Sequence, residues 1–383
     1  MRISDLRHHL RELGAKPCHE DRLLRGWSQL CSYDRKSSPA ETFFPAALRN
    51  ELPAIEAELD GLARLQGEYP VDDEVARLLV KLRDEQMMES VLLPRGGLCI
   101  STQVGCAVGC VFCMSGRAGL LRQLGSAEIV AQVVLARKCR AVSKVVFMGM
   151  GEPAHNLDNV LEAIDLLGTQ GNIGHKDLVL STVGDLRVFE RLMERCNSQT
   201  DTRTDLVRRS REGGSLVNET NWIPAFAGMT KSTSSPFTSE AQVVRPALAL
   251  SLHSTDAELR TKLLPHAPQI AINELVECAE AYARATGYPV QYQWTLIEGM
   301  NDSDAEMARI VELLSGKHAI MNFIPFNDVD GLPYRRPAPE RIAAISRSLN
   351  RSGVYTRIRD SAGQEVEGAC GQLRARAEKR QSA

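Results

Sequence analysis

From residue 98 onward, short runs rich in β-branched and aliphatic residues alternate with amphipathic stretches of helical period. A strand followed by a helix before the next strand needs a crossover connection, so the alternation predicts a parallel sheet covered by helices. Six such units suit a partial β/α barrel of the α/β class. The predicted strands are Leu98–Thr102, Val145–Met150, Leu178–Thr182, Ala247–Leu252, Pro289–Leu296 and Ala319–Ile324. The predicted helices include Ser126–Cys139, Leu157–Leu167, Asp185–Cys196 and Ser303–Leu314, with Ser126 and Ser303 as N-caps.

Other segments flank or interrupt the barrel domain, which we place at residues 86–366. Residues 1–85 carry leucines at three- and four-residue intervals, which predicts a small helical accessory domain. Residues 197–244 are rich in Ser and Thr and lack a sustained period, so we expect a disordered insertion between a helix and the next strand. Residues 367–383 form a C-terminal loop and a basic tail.

The composition predicts a protein that folds in water. Hydrophobic residues make up 43% and charged residues 25% of the chain, as in ordinary globular proteins. No apolar run reaches the ~18 residues of a membrane span, and the N-terminus has no apolar export segment. We therefore expect a cytoplasmic protein without a membrane partner. In a long cytoplasmic chain, ten cysteines favour metal binding or catalysis over structural disulfides.

Three of these cysteines, Cys106, Cys110 and Cys113, lie within eight residues directly after the first predicted barrel strand. Their spacing allows three thiolates to converge on one metal centre. A structural zinc site usually has four protein ligands, and a [4Fe–4S] cubane is normally held by four cysteines. Three cysteines would leave one iron open, as a catalytic centre requires. We expect an iron–sulfur centre, with zinc or incidental cysteines as the alternatives.

The Cys-x-x-x-Cys-x-x-Cys motif resembles that of the radical S-adenosylmethionine (SAM) superfamily. Further motifs, in order along the chain, are similar to those of the RlmN/Cfr-type RNA adenine methyltransferases. Differences from that pattern at Met114–Arg117 and Arg359–Glu365, together with the insertion, suggest a divergent branch. The matching motifs are Leu98-Cys-Ile-Ser-Thr-Gln-Val-Gly-Cys106, Val146-Phe-Met-Gly-Met-Gly-Glu-Pro153, Leu180-Ser-Thr182, Leu250-Ser-Leu-His253, Ile324-Pro-Phe-Asn327 and Gly368-Ala-Cys-Gly-Gln-Leu373.

The resemblance implies a [4Fe–4S] cluster on the three cysteines and two SAM molecules per turnover. From the residues alone, Glu152 after a predicted strand could accept the ammonium hydrogens of a ligand or could be a solvated glutamate in a tight turn. A histidine such as His253 is by itself more often a core or capping residue than a ligand, and its place at a strand end makes the two interpretations equal. The cofactor contacts that the resemblance implies are Gly151, Glu152, Ser181, Ser251, Leu252, His253 and Asn327.

The same resemblance implies catalytic roles for Cys370, Cys99 and Glu89. On their own, Cys99 would be a core cysteine, Glu89 a surface glutamate and Cys370 an exposed thiol between small residues. The resemblance implies that Cys370 accepts a methyl group from one SAM, and that a 5′-deoxyadenosyl radical from a second SAM removes a hydrogen from it. The methylene radical then adds to an adenine ring carbon. Glu89 accepts a proton, and Cys99 resolves the crosslink through a transient disulfide with Cys370.

The implied reaction is methylation of an adenosine ring carbon, with carbon 2 favoured, in 23S rRNA, with tRNA as a further candidate substrate. The implied enzyme is a monomer with an RNA-binding accessory domain, and it is reduced by flavodoxin or ferredoxin. Residues 331–383 carry 11 Lys and Arg against 5 Asp and Glu, and we expect them to contact phosphates. Carbon-8 methylation, a radical SAM enzyme with a non-RNA substrate and a zinc-bearing RNA-binding module remain alternatives.

Overall fold

The computed structural model describes residues 1–35, 38–197, 243–327 and 332–359. Its N-terminal part contains four helices, and the first of them buries leucines at helical spacing, Leu6 and Leu10. The accessory helices predicted from the leucine pattern are therefore present. They are α1 (Ile3–Glu12), α2 (Pro17–Gln29), α3 (Ala40–Phe43) and α4 (Ala46–Asp60).

The prediction of helix up to residue 85 is wrong beyond α4. The chain instead forms β1 (Ala63–Pro70) and β2 (Ala76–Leu82), followed by β3 (Met87–Leu93). These three strands pair antiparallel with one another, so the predicted domain boundary at residue 85 falls inside a β-hairpin. The leucines of β2 are buried in a strand that has neighbours on both sides, β1 and β3. A short buried run of this kind has no period that distinguishes strand from helix.

The antiparallel strands extend the parallel sheet of the barrel. One ten-stranded sheet has the order β1-β2-β3-β4-β7-β8-β9-β10-β11-β12, and every neighbouring pair from β4 to β12 is parallel. A separate antiparallel hairpin pairs β5 with β6. The strands are β4 (Gly97–Cys99), β5 (Gln103–Gly105), β6 (Leu120–Gln123), β7 (Lys144–Phe147), β8 (Leu178–Thr182), β9 (Ala247–Ser251), β10 (Val290–Leu296), β11 (Ala319–Pro325) and β12 (Thr356–Ile358).

The α/β alternation predicted for the barrel is confirmed, with strand ends that differ by up to three residues. Ser303 caps its helix as expected, because its Oγ accepts the Glu306 N–H at 3.2 Å. Ser126 is instead the first helical residue, after Gly125 at the N-cap, and its Oγ accepts the Ile3 N–H at 2.7 Å. The helices are α5 (Ser126–Cys139), α6 (Leu157–Thr169), α7 (residues 186–197), α8 (Ala257–Leu263), α9 (Ile272–Thr286), α10 (Asp304–Leu314) and α11 (Pro339–Arg351).

The two faces of the sheet have different surroundings. Tyr292 and Trp294 of β10 belong to the main hydrophobic core that includes the helices. The opposite face carries smaller side chains, among them Cys99, which forms its own buried cluster with Val146 and neighbouring aliphatic residues. We call this opposite face the inner face. It is the face on which alternate strand residues project away from the helices.

Several predicted segments fall on residues that the structure does not describe. The predicted insertion at residues 197–244 is described only at its ends, and residues 360–383, which include Cys370, lie outside the described residues. Within the described ranges, no helix has both the length and the apolar character needed to cross a membrane.

Candidate active site

The three clustered cysteines lie on a loop between β5 and a short 3-10 turn. We call residues 106–113 the cysteine loop. The Cys106 N–H donates to the carbonyl of Gly119 at 3.0 Å, which attaches the start of the loop to the β5–β6 hairpin. The Val111 N–H donates to the carbonyl of Leu263, the last residue of α8, at 3.1 Å. The loop is therefore held from both sides by backbone hydrogen bonds.

A close backbone approach fixes the shape of the cysteine loop. Gly109 has φ +66°, a conformation that favours glycine. A Cβ on Gly116 would lie 2.8 Å from the Gly109 Cα, which is closer than real Cβ contacts. Both glycines are therefore required by the turn that brings Cys110 and Cys113 to the same end of the loop.

The chemistry of the three thiols fits an iron–sulfur cluster. All three are half-buried, and burial raises the pKa of Cys106 to about 11 and the pKa of Cys110 well above its ordinary value. The charge of Cys113 raises both pKa values further, so the three sulfurs are electrostatic neighbours. Iron binding must therefore displace protons. Within the described ranges, no group of three or more His, Cys, Asp and Glu side chains is placed to hold a metal ion, so the convergence of the three sulfurs on one centre stays a prediction.

Glu152 is a buried carboxylate at the C-terminal edge of the parallel sheet. It is 4% exposed and accepts hydrogen bonds from Thr182 Oγ1 at 2.6 Å, Val183 N at 3.0 Å and Ala154 N at 3.1 Å. Burial raises its pKa to about 7. These donors are neutral, so a cation bound here would offset the cost of burying the charge. The ammonium group of SAM has the required charge.

The glycines before Glu152 are required by close packing of the chain. A Cβ on Gly149 would lie 2.7 Å from the carbonyl oxygen of Ile100. A Cβ on Gly151, which has φ +103°, would lie 2.6 Å from the side chain of Gln103. The Gln103 Oε1 also accepts the Glu152 N–H at 2.8 Å. The two glycines thus let the chain after β7 pack against residues 100–103 and orient Glu152.

The other predicted cofactor contacts lie near the same edge of the sheet. Ser181 is in β8, Ser251 ends β9, and Asn327 follows β11. Leu252 is fully buried in the main core, so its backbone is the part of the residue that remains for a ligand contact. Since the carboxyl ends of parallel strands are where barrel enzymes bind their ligands, this placement agrees with the predicted site.

His253 is placed to support the cysteine loop. Its φ is +59°, which is uncommon for a residue with a side chain, and its ring centroid lies 4.9 Å from that of Phe112 in the loop. Its Nδ1 accepts the Thr295 N–H at 2.9 Å. Burial lowers the pKa of His253 to about 3, so the ring is neutral near pH 7 with its proton on Nε2.

We expect His253 to make unfolding depend on pH. The unfolded histidine gains a proton below about pH 6.5 whereas the folded one stays neutral to about pH 3, so its stabilisation is lost as pH falls through this range. Relative to a His253→Asn variant, the free-energy advantage of the natural chain should shrink by up to about 1.4 kcal/mol per pH unit. Urea unfolding of the cluster-free proteins at pH 7.5 and 5.5 measures this. A Phe112→Leu variant keeps the titrating ring, so its free energy of unfolding should differ from that of the natural chain by the same amount at both pH values. If the difference between the natural chain and His253→Asn is also the same at both pH values, the expectation is wrong.

Cys99 and Glu89 project from the same inner face. Cys99 pairs with Val91 across β3 and β4, and Glu89 lies two residues before Val91. The interpretation of Glu89 as a surface residue is wrong: it is 3% exposed, and Arg77 Nη2 lies 2.9 Å from its carboxylate. Cys370 lies outside the described residues, so its pairing with Cys99 stays a prediction.

Two buried polar residues near the site were missed from the sequence. Arg260 in α8 is 5% exposed, and Asn322 in β11 is fully buried with neither amide atom hydrogen-bonded. Asn322 pairs with Gln293, which pairs with Ser251, so these three residues share the inner face. In the sequence, Arg260 resembles a solvated residue of a helix, and Asn322 resembles an irregularity in a strand. Neither is marked as buried, because their burial arises only in the tertiary structure.

Known proteins show similarity along nearly the whole chain. Residues 100–200 match the family model described as Radical SAM superfamily. A protein of Azoarcus sp. (strain BH72) named "Probable RNA methyltransferase" is 59% identical over 98% of this chain and 95% of its own length. A protein of the same name from Pseudomonas aeruginosa (strain UCBPP-PA14) is 57% identical over 98% of this chain and 96% of its own length.

A solved structure has a similar fold along nearly the whole chain. A radical SAM methyltransferase from Sphaerobacter thermophilus superposes with a TM-score of 0.71 at 29% identity, and the match covers 97% of both chains. The agreement of motifs, site geometry and full-length similarity confirms the resemblance found in the sequence. This chain belongs to the RlmN/Cfr-type family of radical SAM RNA methyltransferases.

Proposed function

We propose that this protein methylates a ring carbon of adenosine in RNA, with carbon 2 favoured, and that 23S rRNA and tRNA are its substrates. The observation that carries the proposal is the shared location of the cysteine loop and Glu152 at one end of the parallel sheet, with Cys99 and Glu89 on the inner face below. The RNA methyltransferase names of relatives 57–59% identical over 98% of this chain support RNA as the substrate class.

The residues present fit the two cofactors of the family. Cys106, Cys110 and Cys113 would hold a [4Fe–4S] cluster, and Glu152 would accept the ammonium group of SAM. When bound and reduced by one electron, these cofactors supply a carbon radical. A radical suits the substrate because the electron-poor amidine carbons of adenine offer no nucleophile for polar methyl transfer.

The catalytic side chains act on the methyl carrier and the base. We assign Cys370 as the residue that carries the methyl group to adenine. We assign Cys99 as the thiol that attacks the Cys370 sulfur, so that the S–S bond of a transient disulfide forms while the S–C bond to the base breaks and the carbon left on the base takes up a proton. Attack on the crosslink needs a thiolate. Cys99 is 8% exposed in a small aliphatic cluster that shields its thiol from solvent, so another group must take up its proton before the attack. Glu89 accepts the proton that the methylated ring carbon loses, and the Arg77 guanidinium 2.9 Å away holds the Glu89 carboxylate in place.

Nucleoside analysis tests the reaction. RNA from cells with and without the gene is digested, and 2-methyladenosine and 8-methyladenosine are measured by mass spectrometry. We expect 2-methyladenosine to disappear from 23S rRNA and tRNA and to return on complementation. Loss of 8-methyladenosine instead would favour the carbon-8 alternative, and loss of neither nucleoside would contradict an adenosine methyltransferase.

A Cys370→Ala variant separates this proposal from a radical enzyme with another kind of substrate. The variant should keep the iron content of the natural protein but show no RNA methylation, because the methyl carrier is gone. Cys139→Ala, at an exposed cysteine at the end of α5, is the matched control and should keep full activity. Methylated RNA from Cys370→Ala, measured in reconstituted reactions, would overturn the proposed role of this thiol.

A further inference from the structure

A buried guanidinium occupies the C-terminal edge of the sheet between two neighbouring strands. Arg260 Nη2 donates to the carbonyl of Val183, directly after β8, and at 3.4 Å to the carbonyl of Ser251, the last residue of β9. The side chain is thus inserted at the level of the predicted cofactor contacts, although nothing in the sequence motifs marks it.

The guanidinium has an incomplete set of partners. Its Nε is buried without a hydrogen-bond acceptor, and within the described ranges no aspartate or glutamate forms an ion pair with it. Burial lowers its pKa to about 10, and the charges of Cys110 and Glu152 act in the opposite direction. A buried cation with an unmade hydrogen bond is costly unless a ligand completes its surroundings.

A single residue joins this cation to the buried acid of the site. The Val183 N–H donates to Glu152 Oε2 at 3.0 Å, and the Val183 carbonyl accepts from Arg260. The carboxylate and the guanidinium are therefore held on the two polar groups of one residue without contacting each other. A buried acid and a buried cation held on one residue are complementary in charge to the ammonium and carboxylate groups of an amino-acid zwitterion.

We propose that Arg260 binds the α-carboxylate of SAM while Glu152 binds its ammonium group. This assignment rests on the proposed function, since it takes SAM as the ligand of this edge. A guanidinium presents paired N–H donors that suit a carboxylate, and its fixed charge complements the ligand when water is excluded. Arg260 then positions the methionine end of the cofactor beside the cysteine loop, which also contacts α8 through Leu263.

The test compares SAM with decarboxylated SAM, which keeps the sulfonium, the adenosine and the amino group. Dissociation constants are measured by equilibrium dialysis on anaerobically reconstituted protein. We expect Arg260→Met to weaken SAM binding by about 10- to 100-fold and to leave decarboxylated SAM nearly unchanged. Both proteins carry the same cluster. Any contact of the SAM carboxylate with iron therefore contributes equally to the dissociation constants of the natural chain and the variant.

The controls distinguish a ligand-binding role of Arg260 from a purely structural role. Arg187→Met removes an exposed arginine that pairs with Asp185 near the same edge, and it should change neither constant. If Arg260→Met does not fold, Arg260→Lys is measured, and SAM binding should again weaken more than that of the decarboxylated ligand. Equal weakening of both ligands in the folded variant would overturn the proposal in favour of a purely structural Arg260. The readout here is ligand binding. If no methylated adenosine were found in RNA, the proposed function would be wrong, but the assignment of Arg260 to the carboxylate of SAM would still be tested by the binding constants.

Discussion

A Cys110→Ser variant is expected to lose the iron–sulfur cluster and more than about 1,000-fold of the methylation rate, since the cofactors carry the difficult chemistry. Serine preserves the size of the side chain, and the Cys113 N–H can still donate to the backbone carbonyl at position 110. Its hydroxyl is a poorer ligand for iron than a thiolate. The defect should therefore lie in the metal centre and not in the fold.

Iron and sulfide analysis of the anaerobically reconstituted variant measures the effect, with visible absorption and methylation assays beside it. Cys278→Ser replaces a half-buried cysteine on α9, outside the cysteine loop, and should keep both the cluster and the activity. Full iron content in Cys110→Ser would contradict the assignment of this residue. A colourless natural protein after reconstitution would contradict the iron–sulfur centre itself.

A Glu152→Gln variant is expected to bind SAM about 100- to 1,000-fold more weakly, as loss of a desolvated charge pair costs several kcal/mol. The amide keeps the shape of the side chain but removes the negative charge. It also turns a donor toward one of the three groups that donate to the carboxylate, Thr182 Oγ1, Val183 N and Ala154 N. Stability should fall as well, by roughly 1–3 kcal/mol for the unsatisfied donor.

The titration of Glu152 gives the same prediction a pH dependence. In the cofactor-free protein burial raises its pKa to about 7, so binding of the ammonium group must displace a proton below that pH. Affinity for SAM should therefore decline by up to about tenfold per pH unit as pH falls below 7. Without ligand the sign for folding is opposite, because the raised pKa means that stability declines as pH rises from about 4.5 to 7.

Dissociation constants for SAM, measured between pH 8 and pH 6, check in one series both the loss of affinity in Glu152→Gln and the pH dependence of the affinity. Glu162→Gln is a suitable control, because this glutamate on α6 accepts from Ser4 N at 2.7 Å and so contacts the N-terminal segment. We expect the control to bind SAM normally and Glu152→Gln to lose the pH dependence. Unchanged affinity in Glu152→Gln would show that the buried carboxylate serves only to hold the strand ends together.

Local patterns in the sequence predicted the elements on which the site is built. The helix Ser126–Cys139 and the strand Leu178–Thr182 have the predicted bounds, because hydrophobic period and the flanking polar residues report directly on local conformation. The spacing of the three cysteines predicts a shared centre as well, and that stays a prediction. The motifs that follow each strand placed the site at the carboxyl edge of the sheet, since parallel topology brings these ends together.

Long-range packing decided what the sequence left ambiguous. Glu89 and Arg260 have the composition of surface residues, yet the sheet and the strand ends bury them. Gly149 and Gly151 serve chain packing against residues 100–103, and β1–β3 complete a sheet where the leucine pattern predicted helix. The amino-acid sequence by itself determined the α/β alternation and the cysteine loop, because both depend on near neighbours. Only the tertiary structure determined which charges are buried and face one another, because burial depends on partners far along the chain.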